Sequence, residues 1–349
     1  MKDEFISLMQ HLCSCPGISG QEQRIVKAVV DALVPYCDDI RVDNMGNVSA
    51  VFKGSGCAPS LMLVAHTDQV GAIVSEITDA GLIMFKTVGC VDSASLSATP
   101  VLVENCPGAI SAPPAHMAAK DVPAPLYIDV GAECRQNVLD MGINIGSQIT
   151  FTTPFTPLGK NRILSHSIDD RVGCAILIFL AKHLSENRPE GDVILGFSVR
   201  EETTMAGAFM LVNSCKPDWV IAIDTVPMKM SPNGNSIIDL GRGPVFQLAE
   251  GVISSFSGNF VHPGVKSALI KAANDAGVHY QLCAQYGDWT TDGNTINRAN
   301  CGTPSGYLSI PRRNAHSAAE IMDVRDALDG IKILQTLIRD MSGINLSFI

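Results

Sequence analysis

No long apolar run occurs in this sequence. None approaches the ~18–20 consecutive apolar residues that span a bilayer, so no transmembrane helix is expected. Positive charge is also scarce: 25 Lys and Arg stand against 35 Asp and Glu, a formal net charge of −10. Such a surface is a poor partner for nucleic acid or an anionic membrane. The N-terminus, Met1-Lys2-Asp3-Glu4-Phe5, is acidic and lacks the basic-then-apolar pattern of a signal peptide. The eleven cysteines are scattered and form no Cys-x-x-Cys. That argues against a disulfide framework or a thiolate zinc site, and for free, mostly buried thiols in a reducing compartment, here the cytoplasm. A P-loop, a Gly-x-Ser-x-Gly elbow and a His-Glu-x-x-His helix are all missing, which turns attention from nucleotide, serine-hydrolase and single-zinc chemistry.

What is present is a long globular chain. Its 349 residues exceed what one hydrophobic core usually covers, so one large domain plus a smaller one is expected. Ser19-Gly20-Gln21-Glu22 reads as a capping box, with Ser19 as N-cap. Behind it Ile25, Val26, Val29, Val30 and Leu33 make one helical stripe. Ile40–Asp43 and Val48–Phe52 flank the turn Asn44–Asn47 as a hairpin, and Leu61–Ala65 reads as a strand buried on both faces.

Between residues 70 and 160 prolines, glycines and short β-branched runs replace helical periods. Ala72–Ile77, Gly81–Val88, Val101–Val103, Leu126–Val130 and Gln148–Phe151 read as strands, with one short helix before Gly142. From residue 161 helices and buried strands alternate again, ending in a helix over Asp323–Met341. The pattern predicts an α/β domain formed by residues 1–69 and 161–349, split by an inserted β domain over 70–160.

Five stretches carry metal-capable side chains: His66-Thr67-Asp68, Asp169-Asp170, Glu201-Glu202, Asp224 and His316. His66, the paired glutamates and Asp224 follow apolar strands, and the paired aspartates precede a helix. In open α/β sheets ligands bind beyond the carboxyl ends of strands. Each stretch alone has an ordinary explanation, since Asp169 and Asp170 could cap a helix and Glu201-Glu202 could be a solvated loop. Their shared placement argues for a divalent-metal pair and hydrolysis. Spacing does not say which member of either acidic pair is the ligand. A carboxylate beside a ligand histidine, as in His66-x-Asp68, suits the orienting role. The other histidines read as peripheral: His11, His183 and His279 near helices, His262 in a loop, His116 in the insertion, with His166 as a further residue near Asp169.

Ala65-His66-Thr67-Asp68-Gln69-Val70-Gly71, Asp169-Asp170-Arg171, Glu201-Glu202 and Ala315-His316-Ser317 with Glu320 together resemble the dinuclear-metal aminopeptidases that include glutamyl aminopeptidase, deblocking aminopeptidases and the tetrahedral (TET) peptidases. Pro16–Gly20 with Glu22, Asp43 with Gly46-Asn47, Tyr127–Ala132 and Thr291-Asp292-Gly293 extend the likeness almost end to end. The resemblance implies a phosphorylase/hydrolase-like, mixed-sheet, three-layer α/β peptidase domain with a β-rich, barrel-like insertion that joins dimer contacts. It implies His66 and Asp224 on one metal, Glu202 and His316 on the other, Asp169 bridging, Glu201 as general base and Asp68 orienting His66. The metals would be zinc, with cobalt or manganese as alternatives. Short peptides would be the substrates, and a homo-oligomer of dimers, up to a tetrahedral dodecamer, the assembly.

The chain departs from that pattern at Gln69, where an acid is usual, at Thr203–Gly207, and at Asp288-Trp289-Thr290. These are expected to bear on the specificity pocket. A related di-zinc deacylase or carboxypeptidase, and a non-catalytic assembly protein that keeps the site, are the competing readings.

Overall fold

In the computed structural model, residues 1–112, 125–230, 236–255, 257–287 and 289–349 are described. His116 and Asp288 lie outside them. The chain opens with α1 (Lys2–Cys13) and α2 (Gln23–Leu33), then β1 (Ile40–Val42), β2 (Val48–Phe52) and β3 (Leu61–His66). Six strands follow: β4 (Gly71–Ile77), β5 (Ile83–Val88), β6 (Pro100–Val103), β7 (Cys106–Ser111), β8 (Tyr127–Asp129) and, after α3 (Arg135–Asp140), β9 (Gln148–Phe151). They close into a barrel in the order β4-β5-β8-β7-β6-β9. Val74, Ile77, Ile83, Val101, Val103, Ile110, Ile128 and Ile149 fill it.

β10 (Thr156–Leu158) and β11 (Arg162–Ser165) lead back to the large sheet. Then come α4 (Ile168–Glu186), β12 (Val193–Ser198), α5 (Glu201–Thr204), α6 (Ala206–Cys215), β13 (Trp219–Pro227) and a small pair, β14 (Lys229–Met230) with β15 (Ser236–Ile238). The chain ends with β16 (Val245–Val252), β17 (Ser257–Phe260), α7 (Pro263–Asp275), β18 (Gln281–Tyr286), α8 (Gly293–Ile296), β19 (Ser305–Arg313), β20 (Glu320–Asp323) and α9 (Val324–Arg339).

The large sheet runs β1-β2-β12-β3-β13-β19-β20-β11-β10, with β16 attached to β19 and carrying β17 and β18. Its middle, β12-β3-β13-β19, is parallel, and the flanking pairs β2–β12 and β19–β20 are antiparallel. β3 shows why this becomes three layers. Leu61, Leu63 and Ala65 join the core under α1, α4 and α9, while Met62 and Val64 join Ala208, Leu211 and Val212 of α6 on the other face. An apolar residue at every position is the sequence signature of a strand covered on both sides. α4 is buried almost all round because the sheet lies on one side and α1 and α9 on others. The mixed α/β fold with a closed barrel is the architecture expected from the sequence.

Several local expectations are corrected. Ser19 does not cap α2: the N-cap residue is Glu22, and the Ser19 hydroxyl donates to Asp68 Oδ2. Glu22 Oε1 accepts from Gly20 N and Arg200 N, at 2.7 and 3.1 Å. His262 is a helix cap, accepting the Gly264 amide at 3.2 Å at the start of α7. Among the described residues no disulfide links the cysteines, but fewer are buried than expected: Cys13, Cys174 and Cys283 are buried, while Cys57, Cys90 and Cys301 are exposed.

Candidate metal centre

The parallel register gathers the metal-capable residues. His66 ends β3 opposite Ser198, the last residue of β12, so the Glu201-Glu202 turn starts beside it. Ala222 of β13 lies opposite Val64, which brings Asp224, two residues on, to the level of His66. Asp224 sits within β13 rather than after it, because pairing with β19 continues to Pro227. α4 points its start at the same edge. A cis peptide joins Asp169 and Asp170, and both depart from helical geometry, so the regular helix begins at Arg171.

His66, Asp68, Asp169, Glu201, Glu202, Asp224 and His316 all meet here. His66 Nε2 lies 3.3 Å from Asp169 Oδ1 and 3.9 Å from both Asp224 Oδ1 and Glu201 Oε2. His316 Nε2 lies 3.3 Å from Asp169 Oδ2 and 3.4 Å from Glu202 Oε2. Among the described residues three side-chain groups are compact enough for a cation: His66 with Asp169 and Asp224, Asp169 with Glu202 and His316, and His66 with Glu201 and Glu202. His166 stays outside, its Nδ1 2.9 Å from the Thr153 carbonyl.

The two acidic pairs are split by geometry. Asp169 faces the histidines, whereas Asp170 Oδ1 accepts the Gly173 amide at 3.0 Å as a helix-start acid does. Glu201 approaches His66, and Glu202 approaches His316.

Asp68 sits behind the group with almost every lone pair engaged. Its Oδ1 accepts the Glu201 amide and its Oδ2 the Glu202 amide, at 3.0 and 3.1 Å. His66 Nδ1 is 3.2 Å from the Asp68 carbonyl oxygen and 3.5 Å from Asp68 Oδ1. Both are acceptors, so Nδ1 carries a proton and Nε2 is the atom turned toward the carboxylates.

Electrostatics mark the cluster as short of positive charge. Burial holds Glu201 and Asp224 well above the ordinary carboxyl range, with neighbouring carboxylates adding to the rise. Burial also pushes Glu202 up to about 7, although His316 opposes it. Asp169 is the exception: burial would raise it, but the Arg312 guanidinium and both imidazoles hold it well below that range. Burial would lower the His66 imidazole, yet Asp169, Asp68, Glu201 and Asp224 together hold it well above its usual value. Asp169 Oδ1 and Glu202 Oε1 are buried without a hydrogen-bond partner. Buried carboxylates in this number are costly unless paired or bound to metal. These oxygen and imidazole donors, with open lone pairs facing each other, fit divalent cations such as zinc, cobalt or manganese.

Two contributors escaped the sequence reading. Arg312, at the end of β19, donates to Asp169 Oδ2 and to Glu320 Oε1. Its only sequence signal is a basic pair, Arg312-Arg313, closing an apolar strand four residues before His316. Ser198 donates to Asp292 Oδ2 at 2.5 Å, tying the Thr291-Asp292-Gly293 loop to the end of β12. Gln69, where an acid is usual, is placed behind the centre beside Asp68. It is buried, and its Oε1 accepts from Ser167 Oγ at 2.6 Å and Arg171 Nη2 at 3.2 Å.

Comparison with known proteins places this geometry in context. Residues 46–333 match the family described as M42 glutamyl aminopeptidase. A lysyl aminopeptidase of Pyrococcus furiosus is 30% identical over 358 residues, covering 97% of this chain and 98% of that protein. Aminopeptidase APDkam598 of the archaeon Desulfurococcus kamchatkensis superposes with a TM-score of 0.91 at 29% identity, over 99% of both chains. The TET1 peptidase of Pyrococcus horikoshii, which can assemble into a tetrahedron or a large octahedral shell, gives a TM-score of 0.84 at 26% identity, over 96% of this chain and 99% of that one. A family match spanning most of the chain, with relatives aligned nearly end to end, leads to one conclusion: the chain belongs to the M42 glutamyl aminopeptidase family.

Proposed function

We propose that this protein is a dinuclear metalloaminopeptidase that removes the N-terminal residue of short peptides. The observation that carries the reading is that one carboxylate, Asp169, turns an oxygen to each of two imidazoles, His66 and His316. In this reading His66 and Asp224 hold one divalent ion, Glu202 and His316 the other, and Asp169 serves both. Zinc is the expected metal, with cobalt or manganese as alternatives. When bound, the pair supplies Lewis acidity, polarising the scissile carbonyl and making water acidic near neutral pH.

The chain's own groups do the rest. Glu201, buried beside His66 and held above the ordinary carboxyl range, accepts a proton from the attacking water. The water oxygen bonds to the carbonyl carbon, the carbon–nitrogen bond breaks, and Glu201 returns that proton to the leaving amine. Asp68 keeps His66 turned and pins the amides of both glutamates.

We further propose that residues 1–69 and 161–349 form the peptidase domain and residues 70–160 an inserted domain used in dimer contacts. Dimers would build a homo-oligomer, up to a tetrahedral dodecamer. Among the described residues no helix is long and apolar enough to cross a membrane. Eleven cysteines with no disulfide among the described residues suit a reducing compartment, which favours the cytoplasm.

The test is a panel of aminoacyl-anilides, free and N-acetylated, given to protein reconstituted with zinc, cobalt or manganese, with the mass measured by light scattering. Turnover of free but not acetylated substrates supports the aminopeptidase. Cleavage of the acetylated set alone would transfer the chain to a deacylase, and no turnover with any metal would favour a non-catalytic role.

A further inference from the structure

Arg312 enters the centre from the end of β19 and is 3% exposed. A buried guanidinium needs partners for all its faces, and this one has them. Nε donates to Thr225 Oγ1, Nη1 to Glu320 Oε1 and Nη2 to Asp169 Oδ2. Thr225 adjoins Asp224 in β13. Glu320 also accepts the Asp169 amide and the His316 amide, each at 3.1 Å. The guanidinium is therefore fixed at three points and cannot swing aside without breaking a buried ion pair.

This makes the two oxygens of Asp169 unequal. Oδ1, on the side of His66 and Asp224, has no hydrogen-bond partner. Oδ2, on the side of His316 and Glu202, already holds Arg312. A cation at the first position meets an oxygen that no guanidinium holds, with only the His66 imidazole, a ligand in this reading, 3.3 Å away. A cation at the second must share its oxygen with a fixed positive charge.

We propose that Arg312 is a positioning residue that makes the two halves of the centre unequal, so that the His66–Asp224 half binds metal tightly and the His316–Glu202 half more weakly. The inference rests on the dinuclear reading above, but it concerns occupancy and can fail separately. The binding order follows from a residue outside the ligand set, which acts as a resident counter-charge on the shared carboxylate.

The experiment is zinc titration of metal-stripped protein against a chromogenic chelator, for the wild type, Arg312→Met and Arg312→Lys. The wild type is expected to bind two zinc ions with affinities at least ~10-fold apart. Arg312→Met, which keeps length and loses charge, should tighten the weaker site and bring the ratio within ~3-fold. Arg312→Lys keeps the charge without the fork and should fall between. A gain in affinity is a result that mere structural damage does not produce. Circular dichroism and melting of the metal-free proteins check folding. Two equal sites in the wild type would overturn the inference whatever the variants do, as would a weaker site that Arg312→Met leaves unchanged or loosens. A wild type that binds no zinc would overturn the metal reading itself.

Discussion

Asp68 accepts the backbone amide of Glu201 at 3.0 Å, and the same carboxylate accepts the next amide, that of Glu202, at 3.1 Å. One buried side chain on the β3 side thus sets where both acids beyond β12 stand. Asp68→Asn replaces one acceptor oxygen with a donor, which cannot accept from an amide. The turn and the His66 ring should both lose their fixed placement. Activity or metal affinity is expected to fall about 10- to 100-fold, the usual range for partners that orient metal ligands. Steady-state kinetics and metal content, measured together, check it.

Glu201→Gln tests the proton carrier. The amide keeps the size of the side chain and removes its basicity. Metal content should stay at the wild-type level while kcat falls by ~10²–10⁴-fold. Full activity in this variant would remove Glu201 from the mechanism.

Glu250 gives a stability expectation away from the proposed ligands. It is fully buried in β16 and accepts the Thr291 hydroxyl at 3.0 Å. Burial pushes its carboxyl from an ordinary 4.5 up to about 7, against the Thr291 hydrogen bonds. Between those pH values the folded chain keeps a proton that the unfolded chain has lost. Stability from this group therefore falls as pH rises through that window and levels off above it. Glu250→Gln has no such proton to lose. Relative to the wild type, the variant should gain about 2–3 kcal/mol between pH 5 and pH 8. Urea unfolding of both proteins at the two pH values measures the difference.

Gly173 tests packing under the site. A Cβ at this position would overlap the Asp170 carboxylate, which accepts the Gly173 amide. In an open helix, alanine would be the better residue. Here Gly173→Ala should destabilise the protein by ~1–3 kcal/mol through overpacking. A melting temperature equal to or above the wild-type value would contradict the tight fit of Asp170 against α4.

How much of this was legible in the sequence follows from the range of each interaction. Strand β3 announced itself because covering a strand on both faces demands an apolar residue at every position, as in Leu61–Ala65. The chemistry-bearing residues were found because they cluster at strand ends. Ser19 was misread because a serine three residues before a glutamate has a good local use, while its real partner, Asp68, lies 49 residues away. Arg312 gave no local sign beyond the basic pair it forms with Arg313, since Asp169 is 143 residues away and Glu320 is reached only when β19 turns back along β20. Local rules name candidates; the sheet register decides which of them meet.

The barrel begins at Gly71, three residues after Asp68, and its last strand, β9, ends 18 residues before Asp169. Between those ends it touches the site again: the Asp92 amide donates to the His316 carbonyl at 3.1 Å, and Ala318 packs into the barrel's own core. The barrel is thus tied to the edge that carries His66 and His316 at its entrance and at its middle. An insertion engineered into its outer wall would have a short path to Asp68 and His316. The barrel is better regarded as a buttress of the edge that carries His66, Asp68 and His316 than as a passive appendage.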